Sequence, residues 1–359
     1  MRFIFKTEYN QDIKLFKHNG YIFWYALLII AVFAAPLVLD VFLIGELSLV
    51  FIYIIAALSL MILMGYAGLP SFGHAGFMAI GAFTQAYLVN RGVPFLVALP
   101  AVGVLCGIIG ILLAVPLRKT TGLYFAIGTL AFAIIVENTF KVWTSFTGGI
   151  TGTPVNHVVL FGYGLANESQ FYYLCLIVML GVILGVLNLM RSHTGRALIA
   201  HRDSEISALC MGVNIDKIRL IAFGLSGVTI GLAGALFAHK MTYITPEIFG
   251  MLLSIQIVMM IVIGGLGSVH GAVFGAIALG LLPIIISIVR DVLPSTLAQQ
   301  VGLMELGIIG FILVVFILFE PIGLYGRWLK IKHFLDMFPM YRKATFKKQK
   351  TYLKTERVQ

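Results

Sequence analysis

The chain alternates long apolar runs with short polar breaks, and the runs have the length of helices in a bilayer. At 1.5 Å per residue, about 17 to 25 apolar residues cross a hydrocarbon core of about 30 Å. Ten stretches qualify: 21–41, 47–66, 72–89, 95–117, 123–140, 171–190, 220–238, 249–265, 271–289 and 302–324. None contains Lys or Arg, as a spanning helix requires. Two of them, 72–89 and 249–265, are short and Gly-rich at an edge, so a full span or a re-entrant helix enclosed in protein fits each. The pattern predicts an all-α fold, a polytopic transmembrane bundle of about ten spans.

Residues 1–20 carry Arg2, Lys6, Lys14 and Lys17 ahead of an apolar run containing Ala34-Ala35-Pro36, which superficially resembles a secretory signal. A 20-residue basic region is long for such a signal, and the apolar run continues past Pro36, so an uncleaved first helix is expected. With the N-terminus in the cytosol and the side alternating at each span, 21 of the 25 Lys and Arg fall inside. They are four in residues 1–20, Arg118 and Lys119, five in the 191–219 loop, and ten from Arg327 onward. Only Arg91, Lys141, Lys240 and Arg290 fall outside, so the positive-inside rule supports this orientation, with both termini cytosolic. The chain divides into a cytosolic segment 1–20, a membrane domain 21–326 with its long inner loop at 191–219, and a basic cytosolic tail 327–359. In the tail, Trp328, Ile331, Leu335 and Phe338 recur at helical spacing among Arg327, Lys330 and Lys332, the pattern of a helix lying on an anionic leaflet.

Composition agrees. Residues are 60% hydrophobic and 11% charged, where soluble domains are about a quarter charged. That excludes a soluble enzyme, a disordered chain and a nucleic-acid binder, and the net charge of +10 becomes a topology signal. Cys106, Cys175 and Cys210 form neither a disulfide framework nor a metal-binding spacing. Gly267, Gly271 and Gly275, and likewise Gly227, Gly231 and Ala235, repeat every four residues, placing each set on one helix face for close packing. Gly68-Leu69-Pro70-Ser71 and Gly265-Leu266-Gly267-Ser268 share a G-L-x-S core followed closely by His, a short similarity that two repeats or chance would produce.

No phosphate-binding loop, H-E-x-x-H or G-x-S-x-G motif occurs, so no ATPase, zinc-protease or hydrolase chemistry of those kinds is encoded. An energy source must be an ion gradient or a partner. The acids in or beside spans are Asp40, Glu137, Glu305 and Glu320, all near predicted ends. Glu137, one turn from the outer end of its span, is a surface carboxylate or a substrate ligand. The loop 191–219 carries a pattern of its own. Asp203 or Ser204 can cap a helix, Ile206, Leu209, Cys210 and Val213 follow at helical spacing, and Gly212 offers a left-handed stop. The apolar stripe of this two-turn helix packs on its own bundle or docks in another subunit.

At this point the residues resemble a family. Gly68-Leu-Pro-Ser71-Phe-Gly73-His74-Ala-Gly76-Phe-Met-Ala-Ile-Gly81 is similar to a segment of the permeases of branched-chain amino acid ABC transporters, the LivH/LivM group. In the same order come Gly122-Leu-Tyr124-Phe-Ala126 with Thr129-Leu-Ala131, Thr147-Gly148-Gly149 with Gly152, and Thr194-Gly195-Arg196-Ala197 with Arg202-Asp203-Ser-Glu205, Ala208 and Met211-Gly212. Gly264-Gly265-Leu266-Gly267-Ser268 closes the series, which spans residues 65–280. The resemblance implies a multi-pass protein of the bacterial plasma (inner) membrane that binds no cofactor itself. It also implies a second homologous permease, two cytosolic ATP-binding subunits that use ATP, and an extracytoplasmic substrate-binding protein.

For coupling to the ATPase it points to Arg196, Arg202, Asp203, Glu205, Ala208, Leu209 and Gly212, with the acids facing basic groups of the partner and Arg196 anchoring the loop. For the substrate pathway, the candidates are Ser71, Gly73, His74, Thr129, Glu137, Thr147, Gly148 and Gly149, the last three offering backbone amides to a carboxylate. Helix capping, packing or a surface position is the simpler explanation of each of these. No metal site and no catalytic residue are expected. An ion-coupled carrier or channel, or an importer of urea, short amides, sugars or nucleosides, stands as the alternative. A membrane-embedded enzyme has no supporting cluster of residues.

Overall fold

The computed structural model describes residues 19–292 except 121, 161, 162, 165 and 166, together with 323–337 and the single positions 307, 310 and 314. Its helices are α1 (Asn19–Val38), α2 (Val41–Leu60, continuing as a π-helical segment Met61–Tyr66), α3 (His74–Asn90), α4 (Phe95–Leu117), α5 (Gly122–Val142) and α6 (Glu168–Arg191). There follow α7 (His193–Asp203), α8 (Glu205–Cys210), α9 (Ile215–Met241), α10 (Met251–Gly264), α11 (Val269–Val292) and α12 (Gly323–Met337). Two small antiparallel ladders tie loops together: β1 (Thr153–Pro154) pairs with β4 (Tyr243–Ile244), and β2 (Val159–Leu160) with β3 (Tyr163–Gly164).

Among the described residues, five helical runs are long and apolar enough to cross a bilayer: Val41–Tyr66, Phe95–Leu117, Gly122–Val142, Glu168–Arg191 and Ile215–Met241. Three shorter apolar helices, Ile22–Val38, Met251–Gly264 and Val269–Ile285, accompany them. The second helix starts at Val41, ahead of the expected 47, because Glu46 joins the helix instead of bounding it. The expected run 302–324 lies almost wholly outside the described residues.

The two short, Gly-rich stretches are both helices. α3 has 17 residues and α10 has 14, so they extend only about 25 Å and about 21 Å. α3 is buried without interruption from His74 through Phe83, and this enclosure by protein suits a short helix at membrane depth. α4, by contrast, leaves Leu96, Val104, Ile108 and Leu112 exposed along one side, the apolar surface expected toward lipid.

Glycines set the helix spacing at the core. A Cβ on Gly227 of α9 would lie 2.5 Å from the carbonyl oxygen of Cys106 on α4, and one on Gly81 of α3 would lie 2.6 Å from that of Gly231. Only hydrogen fits at either place, so three backbones approach closely around Cys106 and Gly231. Gly271 and Gly275 of α11 press in the same way on Gly264 and Met260 of α10.

Contacts sort the loops into two ends. At one end, Arg202 reaches Gly65, Arg219 reaches Arg118, and Gly323 packs on Gly265. At the other, Lys240 pairs with Glu168 at 2.9 Å, Asn90 bonds Pro154, and β1 pairs with β4. The basic loop, the α4–α5 connection, the α10–α11 turn and the start of α12 therefore share one end, as alternating topology requires.

Candidate functional site

Two polar clusters stand out against the apolar bundle. The first is enclosed within it. The chain leaves the π-helical segment through Gly68, whose φ of +71° is open to glycine, and re-enters a helix at His74. Ser71, His74 and Thr129 are each at most 1% exposed. His74 Nδ1 lies 3.3 Å from Ser71 Oγ and Nε2 lies 3.0 Å from Ser226 Oγ, so both ring nitrogens are engaged. Ser226 Oγ is also 3.0 Å from Ser59 Oγ. The Thr129 hydroxyl accepts the Phe72 amide at 3.1 Å, and a Cβ on Gly73 would lie 2.7 Å from the Thr129 carbonyl oxygen. Ser254 accepts from the Ala75 amide at 3.1 Å. These contacts join α2, α3, α5, α9 and α10 through neutral groups only.

Ser71, Gly73, His74 and Thr129 therefore come together, whereas Glu137, Thr147, Gly148 and Gly149 lie at the opposite end of α5. Glu137 accepts from Lys141 at 2.7 Å. The Thr147 hydroxyl donates to the carbonyls of Phe140 and Trp143 and accepts from the Gly149 amide at 3.1 Å. The Gly148 amide bonds Thr144 at 3.0 Å, so the amides of these two glycines are used within the loop. Near the same end, Gln85, fully buried, lies 3.1 Å from His239 Nε2, and His239 Nδ1 lies 3.1 Å from the Asn156 carbonyl oxygen. Ser59, Ser226, Ser254 and Gln85 escaped sequence reasoning. Their signal is a polar residue isolated in an apolar span, too common to single out without the partner.

The second cluster lies at the basic end. Three successive helices start on side-chain caps: Ser192 accepts from the Gly195 amide, Ser204 from that of Ser207, and Asn214 from that of Lys217. Ser204 is the cap of α8, and Gly212, at φ +81°, ends the excursion. α7 is a second helix in this loop. Gly195 and the charges around it obscured its pattern, yet Leu198 is fully buried against Leu63, Leu117, Phe125 and Phe223.

Arg219, 3% exposed, is the hub. It makes two bonds to the Glu205 carboxylate at 3.0 and 3.1 Å, donates to the carbonyls of Arg118 and Thr120, and approaches His201 Nε2 at 3.4 Å. Burial, and then the adjacent Arg219 charge, hold the His201 imidazole below its usual pKa range, with Glu205 opposing weakly. Arg202 donates to the Gly65 carbonyl at 2.9 Å and pairs with Asp203 at 2.8 Å. Glu205 and Asp203 thus find their cations within this chain. Arg196 donates to the Arg191 carbonyl and contacts His193. Ala208 is buried, while Ile206 (76%) and Leu209 (55%) of the predicted stripe, and Met211 (84%) beside them, are left uncovered by the described residues. No cluster of His, Cys, Asp and Glu able to hold a metal occurs among the described residues.

Comparison with known proteins bears on both clusters. No solved structure matches the chain. It is 33% identical over 310 residues, 79% of its length and 72% of the relative's, to the high-affinity branched-chain amino acid transport system permease protein LivM of Escherichia coli. It is 27% identical over 300 residues, 79% of its length and 91% of the relative's, to a probable branched-chain amino acid transport permease protein LivH of Methanocaldococcus jannaschii. A shorter similarity, 30% over 174 residues covering 46% of this chain and 47% of the relative, links it to the autoinducer 2 import system permease protein LsrC of Yersinia enterocolitica. The family model for the permease component of branched-chain amino acid transport systems matches residues 42–317, which takes in both polar clusters, and the chain belongs to that family.

Proposed function

We propose that this chain is the membrane-spanning permease subunit of an ATP-binding cassette importer for branched-chain or related hydrophobic amino acids. It spans the bacterial plasma (inner) membrane about ten times with both termini in the cytosol. It works with a second homologous permease, two cytosolic ATPases and an extracytoplasmic binding protein, and ATP is hydrolysed in the ATPases. The observation that carries this reading, beside family membership, is α8: a capped helix at the basic end whose Ile206, Leu209 and Met211 face outward from a well-packed base. An apolar helix face held this way suits a groove in another subunit.

The geometry supports a lever. Closure of the ATPase pair pushes α8, and the Glu205–Arg219 bond passes the displacement to the start of α9 and to the carbonyls of Arg118 and Thr120. Arg202 passes it to Gly65 in the π-helical segment. That segment leads to Ser71, Gly73 and His74, so motion at the basic end reaches the enclosed polar cluster through a chain of direct contacts. In this reading Ser71, Gly73, His74 and Thr129 border the substrate path, and Glu137 with Thr147, Gly148 and Gly149 form its outer approach.

Gentle purification of the tagged chain from its native membrane tests the proposal. ATPases carrying a phosphate-binding loop are expected to co-purify, and Leu209→Asp is expected to abolish their recovery and substrate-stimulated hydrolysis while leaving the permease in the membrane. Solvent exposure at position 209 predicts a stability change within about 0.5 kcal/mol. A homogeneous chain that transports under an ion gradient without any ATPase would overturn the reading.

A further inference from the structure

α12 follows the last predicted span, and its role is independent of how transport is driven. We propose that α12 is an interfacial helix that binds the anionic lipid surface of the leaflet at the basic end of the bundle. Its start is fixed to that end. Gly323, at φ +77°, packs so tightly that a Cβ would lie 2.6 Å from the Gly265 amide nitrogen, and Gly326 is also buried. Tyr325 stacks on His270 with ring centroids 5.9 Å apart, and His270 accepts or donates a 2.7 Å hydrogen bond with Tyr25 of α1. Trp328 meets Phe274 edge-on at 6.1 Å. Phe274 lies in the second turn of α11, so Trp328 is held level with the place where that helix enters the apolar zone, the depth tryptophan favours in bilayers.

Beyond this anchorage the helix carries one apolar strip, with Leu329 and Phe334 also exposed outside it. At 100° per residue, Leu324, Trp328 and Ile331 fall within about 60° of one another, and Arg327 and Lys332 lie about 40° outside either edge. Trp328 and Ile331 remain 46% and 50% exposed. An apolar strip bordered on both sides by long cationic side chains is the arrangement that lets the strip enter the acyl region while the charges meet headgroups. From Arg327 to the end the sequence carries ten Lys and Arg against Asp336 and Glu356, a charge balance that suits anionic lipid.

The test uses the full chain carrying Cys210→Ser, which removes the exposed thiol and leaves Cys106 and Cys175 buried, with a polarity-sensitive fluorophore on Ile331→Cys. The protein is reconstituted in phosphatidylcholine vesicles and in vesicles containing phosphatidylglycerol. A blue-shifted emission that grows with phosphatidylglycerol and reverses in high salt is expected. Replacing Arg327, Lys330 and Lys332 by Gln should lower the bound-to-free ratio of the helix by about fivefold for each charge removed. Replacing the two lysines by Arg should retain it, which separates loss of charge from loss of folding. Equal emission in both vesicles, or an unchanged shift in the Gln variant, would overturn the proposal. So would a shift that appears only when the ATPase subunits are added, because that outcome assigns the surface to a protein.

Discussion

The cluster around His74 and the cluster around Arg219 are both polar, both buried and both built from contacts between distant parts of the chain, yet they use different chemistry. Around His74 the partners are hydroxyls, an imidazole and backbone groups. Around Arg219 they are a guanidinium, a carboxylate and carbonyls. Depth explains the difference. A charge in the middle of an apolar bundle loses hydration that no single partner restores, whereas at the membrane surface the half-exposed Glu205 keeps part of its water. The inner cluster therefore specifies which helices meet, and the outer one holds the α7–α8 loop by a bond that salt and pH can reach.

Four substitutions sharpen that contrast. Arg219→Ala removes five donor contacts at once and is expected to cost about 3 to 4 kcal/mol, with Glu205→Gln costing about 1 to 2 because its carboxylate is partly in water. Thermal unfolding in nanodiscs at low and high salt reads both, and a loss for Arg219→Ala no larger than that of an exposed ion pair would remove it as the hub. His74→Ala should cost about 2 kcal/mol through lost hydrogen bonds and a small cavity, with no dependence on salt. His74→Gln should recover part of it; a salt-dependent loss would show that the inner cluster carries charge after all.

The smallest effect concerns pH. His201 has its folded-state pKa lowered, so its neutral form is the one the fold favours. Its contribution is fully present above the unfolded value of about 6.5 and is lost as pH falls below that value toward the folded pKa. Unfolding measured from pH 7.5 down to 5.5 should show a decline that His201→Gln reduces, and identical slopes would dismiss it.

Much of the fold was legible because hydrophobic length is a strong signal in membrane chains. The run 95–117 coincides with α4 at both ends, since Pro94 and Arg118 bound it. A cap at Asp203 or Ser204, the apolar spacing from Ile206 and the stop at Gly212 together marked α8, and the structure puts the cap on Ser204. Arg219, one of four arginines among the five basic residues of its loop, could not be singled out, for a basic residue there serves topology equally well and only the fold brings Glu205, Arg118 and Thr120 to it. Serines gave the same difficulty: Ser226 gains meaning only from His74, 152 positions away. The paired acids Asp203 and Glu205 read as partner contacts because their cations are supplied by geometry that sequence order hides.

The π-helical stretch Met61–Tyr66 has one consequence for anyone counting along this chain. A π turn holds an additional residue relative to an α turn, so everything after it is rotated by about 100° from where a 3.6-residue count would put it. The point at which the chain leaves this helix, and so the start of the loop that carries Gly68, Ser71 and Gly73, is thus out of phase with its first twenty residues. Deleting one residue within 61–66 would restore α periodicity and turn that whole motif by more than a quarter revolution, while the same deletion in a straight helix would merely shorten it.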